Sequence, residues 1–418
     1  MNLSAHILKI AKAARQASYQ LALISAQEKN SALKAMAVAL VKNQVFLIKE
    51  NAKDLKVAKT QGYSSALVDR LTLNPKNIKG MADSLLETAK LKDPVGELLE
   101  TIKRPNGLLI KKIRVPLGVV GIIYESRPNV TSDCAGLCLK SGNAAILKGG
   151  REAIHSNKAI FKVLKLALAK TKIPLDALQL IELTDRQAVH ELLKLDQLVD
   201  VIIPRGGEDL IRFVANNSKI PVVKHFQGIC HVYVSKNADL KMAHSISMNA
   251  KVQKPGVCNA METLLVDKSI AKKFLPSMIA DLQAKGCEIR GDEATRLIVK
   301  DIRKATEEDW RTEYLDLILS VKVVDGLKGA VDHINTYSSH HSDAIVTKNR
   351  KEAQSFLDAI DSACVYVNAS TRFTDGFEFG FGSEVGISTD KLHVRGPMAL
   401  EGLTSYKYEV YGNGQIRS

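Results

Sequence analysis

The stretch VPLGVVGIIYE at 115–125 decides the architecture, because after Pro116 and Gly118 it runs apolar and β-branched without interruption. A run of that kind is a strand buried on both faces, and such strands belong to parallel sheets. The residues beyond it supply more of the same. AAILKG (144–149), LQLIEL (178–183), VDVIIP (199–204) and PVVKH (221–225) are short apolar runs, with helical spacing between them. After the first comes a helix over 151–170, whose Ile160, Val163, Leu164, Ala167 and Leu168 fall on one stripe. Repeated strand–helix–strand units give a doubly wound α/β sheet with helices on both faces, the usual form of a nucleotide-binding domain.

Working outward, residues 1 to about 100 repeat apolar positions at three and four and read as helices. From 107 the texture alternates, a hairpin-like excursion leading into the buried strand. A second αβ region begins at about 235, and 368–418 is rich in glycine with aromatics between. Neither 105–117 nor the strand-like LTSYKYEVYGNG (403–414) has an evident partner in the alternating pattern. Unpaired strands associate, so both are expected to build a contact between subunits, at least a homodimer.

The composition agrees with a folded chain. There are 59 Lys+Arg against 45 Asp+Glu, a net charge of +14 over 418 residues, and 45% of residues are hydrophobic. That length suggests roughly two to three domains. The basic residues are scattered singly (Lys158, Lys162, Lys165, Lys170, Lys172), and one Trp with 5% aromatics leaves few platforms for stacked bases, so a solvated surface is expected and not nucleic-acid binding. A basic bias does favour a small phosphorylated substrate. No apolar run reaches the ~18 residues of a membrane span, and MNLSAHILKIAKAARQ lacks the core of a signal peptide. Six cysteines without a CxxC pair do not make a disulfide scaffold. No membrane contact and a cytoplasmic location are expected.

Cys258 lies in QKPGVCNAMETLLV (253–266), where Pro255 and Gly256 end a helix before a buried strand. On such a turn backbone N–H groups can lower a thiol's pKa and bind an oxyanion, although a lone cysteine is just as readily a small core residue. Cys134 and Cys138 stand four apart on a helix and read as packing, since no further ligands occur at metal spacing. His340 and His341 read as a loop or substrate-contact pair, and no metal site is expected. Neither GxGxxG nor GxxxxGK[ST] is present. Lys148, Gly149, Gly150 and Arg151 end one strand and open a helix; Gly206 and Gly207 do so after another. Either helix start can hold phosphate on free N–H groups, or be a plain turn.

Taken in order, PLGVVGIIYESRPN, GNAAILKGG, PRGGEDL, CNAMETLLV and FEFGFGSEVG resemble the aldehyde dehydrogenase superfamily, and within it the branch that reduces acyl phosphates. The segments YESRPNVTSD, VDVIIPRGG, GICHVYV, KPGVCNAMETLLV, SSHHSDAIVT and EFGFGSEVGISTDKLHVRGPMALEGLTSYKY carry the likeness over 115–408, with Lys254 where arginine is expected. The resemblance implies an aldehyde dehydrogenase-like α/β fold: a Rossmann-type doubly wound cofactor domain (1–104 and 118–234), an α/β catalytic domain (235–395) and a small oligomerisation hairpin (105–117 with 396–418). It implies Cys258 as nucleophile toward gamma-glutamyl phosphate, Asn129 as oxyanion donor, and glutamate 5-semialdehyde and phosphate as products, the second step of proline synthesis from glutamate.

Where hydrolytic relatives carry a general-base glutamate, KHFQGICH puts His225, to within one residue; a reductase gains nothing from activating water. Arg151 after Lys148, in place of an acidic residue, points to the 2′-phosphate of NADPH. Glu313 resembles the glutamate that contacts the nicotinamide ribose. Arg127, Arg372 and Arg395, with Asp375 and Ser383, are the candidates for the substrate's charged ends. The resemblance leaves room for a transient contact with glutamate 5-kinase. An ordinary aldehyde-oxidising enzyme and a silent binding module are the competing readings.

Overall fold

Helices open the chain where the apolar spacing predicts them, and most begin on a capping side chain. In this computed structural model, which describes residues 2–417, α1 (Leu3–Leu21) is capped by Asn2 and α2 (Ala26–Lys42) by Ser25. Ser25 and Glu28 form a reciprocal capping box. Three more helices follow: α3 (Gln44–Thr60), α4 (Ser65–Leu71) and α5 (Pro75–Lys90), the last with Asn74 as cap and Pro75 in its first turn.

Next come β1 (Leu98–Lys103) and β2 (Leu109–Pro116), paired antiparallel. The other edge of β2 takes the C-terminal strand Thr404–Tyr411 along its whole length. The expectation that 105–117 and the tail lack partners within the chain is thus corrected: they pair with each other, and the hairpin starts at Leu98. Local spacing gave no sign of a pairing between residues so far apart in sequence.

The deciding stretch becomes β3 (Val119–Tyr124), buried throughout. After it run α6 (Val130–Lys140), β4 (Ala144–Gly149), α7 (Ile154–Leu168), β5 (Leu178–Leu180), α8 (Gln187–Leu193), β6 (Val201–Arg205) and α9 (Glu208–Asn217). The four strands make a parallel sheet in the order β5-β4-β3-β6. Residues 221–225 do not form a further strand; Val222 makes one isolated bridge to Ile202. Pro221 has no N–H to give a ladder.

The chain divides into two compact units. One takes in the chain up to Lys224, with Gly380–Gly386 and the residues from Pro397 onward; the other is His225–Phe379 with Ile387–Gly396. The second contains β7 (Cys230–Val234), α10 (Leu240–Val252), β8 (Met261–Asp267), α11 (Lys268–Ala284), β9 (Glu288–Gly291), α12 (Glu293–Ile298), β10 (Arg303–Lys304), β11 (Ile318–Val324), α13 (Gly326–Tyr337), β12 (Ser342–Val346), α14 (Arg350–Ala359) and β13 (Cys364–Val367). Its sheet is parallel, in the order β10-β9-β11-β8-β7-β12-β13.

The boundary expected after 234 therefore moves. β7 is an inner strand of the second sheet, and residues 105–117 are part of the first unit. A short buried apolar run reads the same in either sheet, so sequence could not assign it. Side chains alternate across the second sheet: Val232 and Leu264 join one core with Phe274 and Met278, while Tyr233 and Leu265 join another with Ile345 and Phe356. No single helix among the described residues is long and apolar enough to cross a membrane.

Candidate active site

Cys258 occupies the turn between α10 and β8, which Pro255 forces by ending the helix and the Ala260 N–H closes on the Val257 carbonyl at 3.0 Å. It is partly exposed, whereas the other five cysteines are buried. Cys134 and Cys138 are packing residues, as expected; burial pushes the Cys134 thiol up to about 12. The Cys230 thiol donates to the Cys258 carbonyl at 3.2 Å. Gly228 backs onto that same carbonyl so closely that a Cβ would collide with it. This glycine lets the segment leading into β7 lie against the turn.

Asn259 stitches a second segment beside the thiol. Its side-chain amide donates to the Thr374 carbonyl at 2.8 Å, and Thr371 Oγ1 donates to the Asn259 carbonyl at 2.7 Å. Arg372, between these two, donates to Asn259 Oδ1 and, at 2.8 Å, to Gln253 Oε1. Burial lowers its pKa from the usual arginine value, while the nearby Cys258 and Asp375 raise it. The Arg372 charge is thus felt at the thiol.

On the thiol's other side are two histidines. One ring nitrogen of His225, one of His341 and the Cys258 sulfur all lie within 4.8 Å of one another. The His225 and His341 rings meet edge to face, 5.6 Å between centroids. His225 Nδ1 faces the Ile387 carbonyl at 2.7 Å, which only an N–H can satisfy. His341 is fully buried; burial and the neighbouring His225 hold its pKa down to about 3, so it is neutral at pH 7. The adjacent His340 has a different place, with φ +60° and Nδ1 bonded to the Asp361 carbonyl at 2.6 Å.

The remaining candidates fall in both units. In the first, Asn129 is exposed at the start of α6. Lys148 is buried at the end of β4 with Nζ on the Gly149 carbonyl at 2.9 Å, and burial lowers its pKa. A Cβ on Gly149 would strike the Asn157 side chain, and one on Gly150 the Glu152 carboxylate. Arg151 follows them, exposed. Of the other glycine pair, Gly206 lies against Glu125, whose carboxylate accepts the Gly207 N–H at 3.1 Å. The first turn of α9 also carries Glu208 and Asp209, so this helix start presents acids and its first N–H is already taken. Sequence reading missed Glu125 and Glu152, which come near the glycines only through the fold. Arg127 is exposed, and Ser383 shares a 2.6 Å hydroxyl contact with Ser84.

In the second unit Glu313 lies near enough to Cys230 and Glu262 to raise both pKa values. Asp375 Oδ1 caps a turn by accepting the Phe377 N–H at 2.9 Å. Arg395 is held by Asp361, 2.8 Å to Oδ1 and 2.9 Å to the carbonyl, the arrangement of a structural ion pair.

The site is thus a partly exposed thiol with two histidines and an arginine, held by segments around a parallel α/β sheet. Residues 3–297 match the aldehyde dehydrogenase family. A gamma-glutamyl phosphate reductase from Nautilia profundicola is 56% identical over 98% of this chain and 99% of its own. The crystal structure of the gamma-glutamyl phosphate reductase of Thermotoga maritima superposes with a TM-score of 0.97, at 47% identity, covering 99% of this chain and 100% of that one. An acetylating aldehyde dehydrogenase from Geobacillus thermoglucosidasius shares the fold at 17% identity and a TM-score of 0.70, over 100% and 98% of the two chains. The chain belongs to the aldehyde dehydrogenase family and, within it, to the gamma-glutamyl phosphate reductases.

Proposed function

We propose that this oxidoreductase converts gamma-glutamyl phosphate to glutamate 5-semialdehyde and inorganic phosphate, with NADPH as reductant and Cys258 as nucleophile. The observation that carries the reading is the company Cys258 keeps: a ring nitrogen of His225 and one of His341 lie within 4.8 Å of its sulfur, and Arg372 is near enough for the two charges to interact. A carboxylate there would activate water against a thioester and repel an anionic phosphate. Arg372 does the opposite, favouring the thiolate and drawing in an anion.

In the reaction, Cys258 Sγ forms a bond to the acyl carbon as the carbon–oxygen bond to phosphate breaks, and phosphate leaves with the electron pair. A bound dihydronicotinamide supplies the two-electron reduction of the resulting thioester. The carbon–sulfur bond then breaks, returning the thiolate and releasing the aldehyde. Asn129 has an amide of the right kind for an oxyanion donor. The β4 turn fits a nucleotide: Gly149 and Gly150 lie where side chains would collide, and Arg151 offers an exposed guanidinium to a 2′-phosphate. The turn at Gly206 and Gly207, with its acids, suits ribose hydroxyls better than a pyrophosphate.

The decisive assay runs the reaction in reverse, with glutamate semialdehyde, phosphate and NADP followed by NADPH absorbance. NADPH formation that requires phosphate is expected. Formation independent of phosphate identifies an ordinary aldehyde-oxidising enzyme.

A further inference from the structure

We propose that His225, Cys258 and His341 form a site for a soft divalent cation, of which Zn2+ is the natural member. Imidazole nitrogens with a thiolate are the donors this class of ion selects, and a site with three protein ligands leaves a fourth position for water or substrate.

Distances come first. Three atoms no more than 4.8 Å apart have a common centre no more than about 2.8 Å from each, against ~2.0–2.3 Å for Zn–N and Zn–S bonds. A shift of roughly half an ångström per side chain closes the site, within the reach of small torsional changes.

The ring tautomers come second. His225 gives its Nδ1–H to the Ile387 carbonyl, which leaves Nε2 as its lone-pair nitrogen. His341 Nδ1 lies 2.9 Å from Ser342 Oγ, and that hydroxyl is in turn bonded to Thr374 Oγ1. The Cys230 sulfur also lies 3.8 Å from that nitrogen, and in the tautomer with the proton on Nδ1 the lone pair of His341 falls on Nε2. An outer partner that fixes the tautomer is the arrangement found behind metal-bound histidines.

The independent sign of a ligand is His341 Nε2 itself. The side chain is wholly buried, yet this nitrogen has no hydrogen-bond partner among the described residues. A buried polar atom left in that state costs free energy, and a coordinated cation is one way to satisfy it.

Occupation ties up the thiolate. Reversible inhibition by Zn2+ rests on Cys258 being the nucleophile; the binding itself does not, and the two are measured separately. Cobalt chloride added to the purified full-length protein is expected to give one equivalent of tetrahedral d–d absorption with a thiolate-to-cobalt charge-transfer band, displaced by zinc chloride. Cys258→Ala should lose the charge-transfer band, and His341→Gln should weaken Co2+ by at least about tenfold, as loss of a single outer partner already does. His225→Gln, checked for folding by circular dichroism, should act in the same direction. Absence of a thiolate–cobalt band on the unmodified protein overturns the site whatever the variants do, as does a band that survives in Cys258→Ala. Binding without loss of reductase activity keeps the site and removes Cys258 from the chemistry.

Discussion

Asn129 Nδ2 donates to Asp133 Oδ2 at 2.8 Å, one helical turn on, so that one of the two amide N–H groups is fixed. The other carboxylate oxygen, Oδ1, is buried without a hydrogen-bond partner among the described residues, and desolvation pushes Asp133 up to about 6. A carboxyl whose folded pKa lies above its unfolded 3.8 holds its proton longer in the native state. Its contribution to stability therefore falls as pH rises across roughly 4 to 6, and the whole cost is present at neutral pH.

Asp133→Asn removes that cost and keeps an acceptor for Asn129. The variant should gain about 3 kcal/mol over the parent at pH 7 and far less near pH 4. Urea denaturation across this range measures the difference, and equal midpoints at pH 7 would refute it. Asn129→Ala should lower kcat by roughly a hundredfold and, because Asp133 loses a donor, also lower the midpoint, by about 1–3 kcal/mol of stability at pH 7. An effect confined to cofactor affinity would show that Asn129 is not an oxyanion donor.

Cys258→Ala should abolish reductase turnover while leaving thermal stability near that of the parent, because the residue sits partly exposed on a turn and not in the core. Substantial residual activity would exclude the thioester. Mass spectrometry of the parent quenched with substrate and no cofactor should show the acyl adduct, and the variant should show none.

Arg151→Glu should weaken NADPH far more than NADH, since the two differ only in the 2′-phosphate that an arginine attracts. Titration of both cofactors by fluorescence reads the ratio. Equal weakening of both would make Arg151 a structural residue and place cofactor choice elsewhere.

Much of this was legible in the chain, for identifiable reasons. β4 falls on Ala144–Gly149 as the apolar run predicts, because a doubly buried strand has only apolar side chains to show. Cys258 announces itself through Pro255 and Gly256, which break the helix before it. His341 does not: beside His340 it reads as half of a loop pair, and only burial separates the two. Glu125 is equally silent, a polar residue after a strand until β6 brings Gly206 and Gly207 against it. Local periodicity is written over a few neighbours, whereas both of these contacts join residues far apart in sequence.

The sheet of β1, β2 and the C-terminal strand leads to a prediction about assembly. Thr404–Tyr411 is an edge strand with Tyr406, Tyr408, Val410 and Tyr411 exposed, and Lys112 lies over the Tyr406 ring at 3.9 Å. An apolar edge of this kind is expected to cover itself with a second copy. Cutting the chain after Pro397 is a poor test, because it also removes Met398 and Leu403, both fully buried. Tyr408→Arg with Val410→Lys leaves the core untouched and should shift the protein toward monomer in light scattering. An unchanged mass would place the subunit contact elsewhere.

The turn that carries Cys258 is bracketed by a buried ion pair, Lys251 from the end of α10 and Glu262 from the start of β8, with Nζ and Oε2 2.6 Å apart and neither side chain exposed. Burial pushes Glu262 up to about 8 even though Lys251 pulls the other way, so the carboxylate depends on its cation. Lys251→Met strands it. The group then folds only with a proton, and the loss of stability is expected to be about 3–5 kcal/mol. Without the cation the Glu262 pKa rises above its value in the parent, so the loss relative to the parent should deepen as pH rises through 8 and beyond, and lessen toward acid. Glu262→Leu added to Lys251→Met removes the stranded charge and should recover most of the stability, since a well-packed apolar pair is often no worse than a buried ion pair. Denaturant midpoints for the parent, the single and the double variant decide between charge and packing. If the double variant is as unstable as the single, then packing of the lysine stem, and not the uncompensated carboxylate, is what holds the two ends of this turn together.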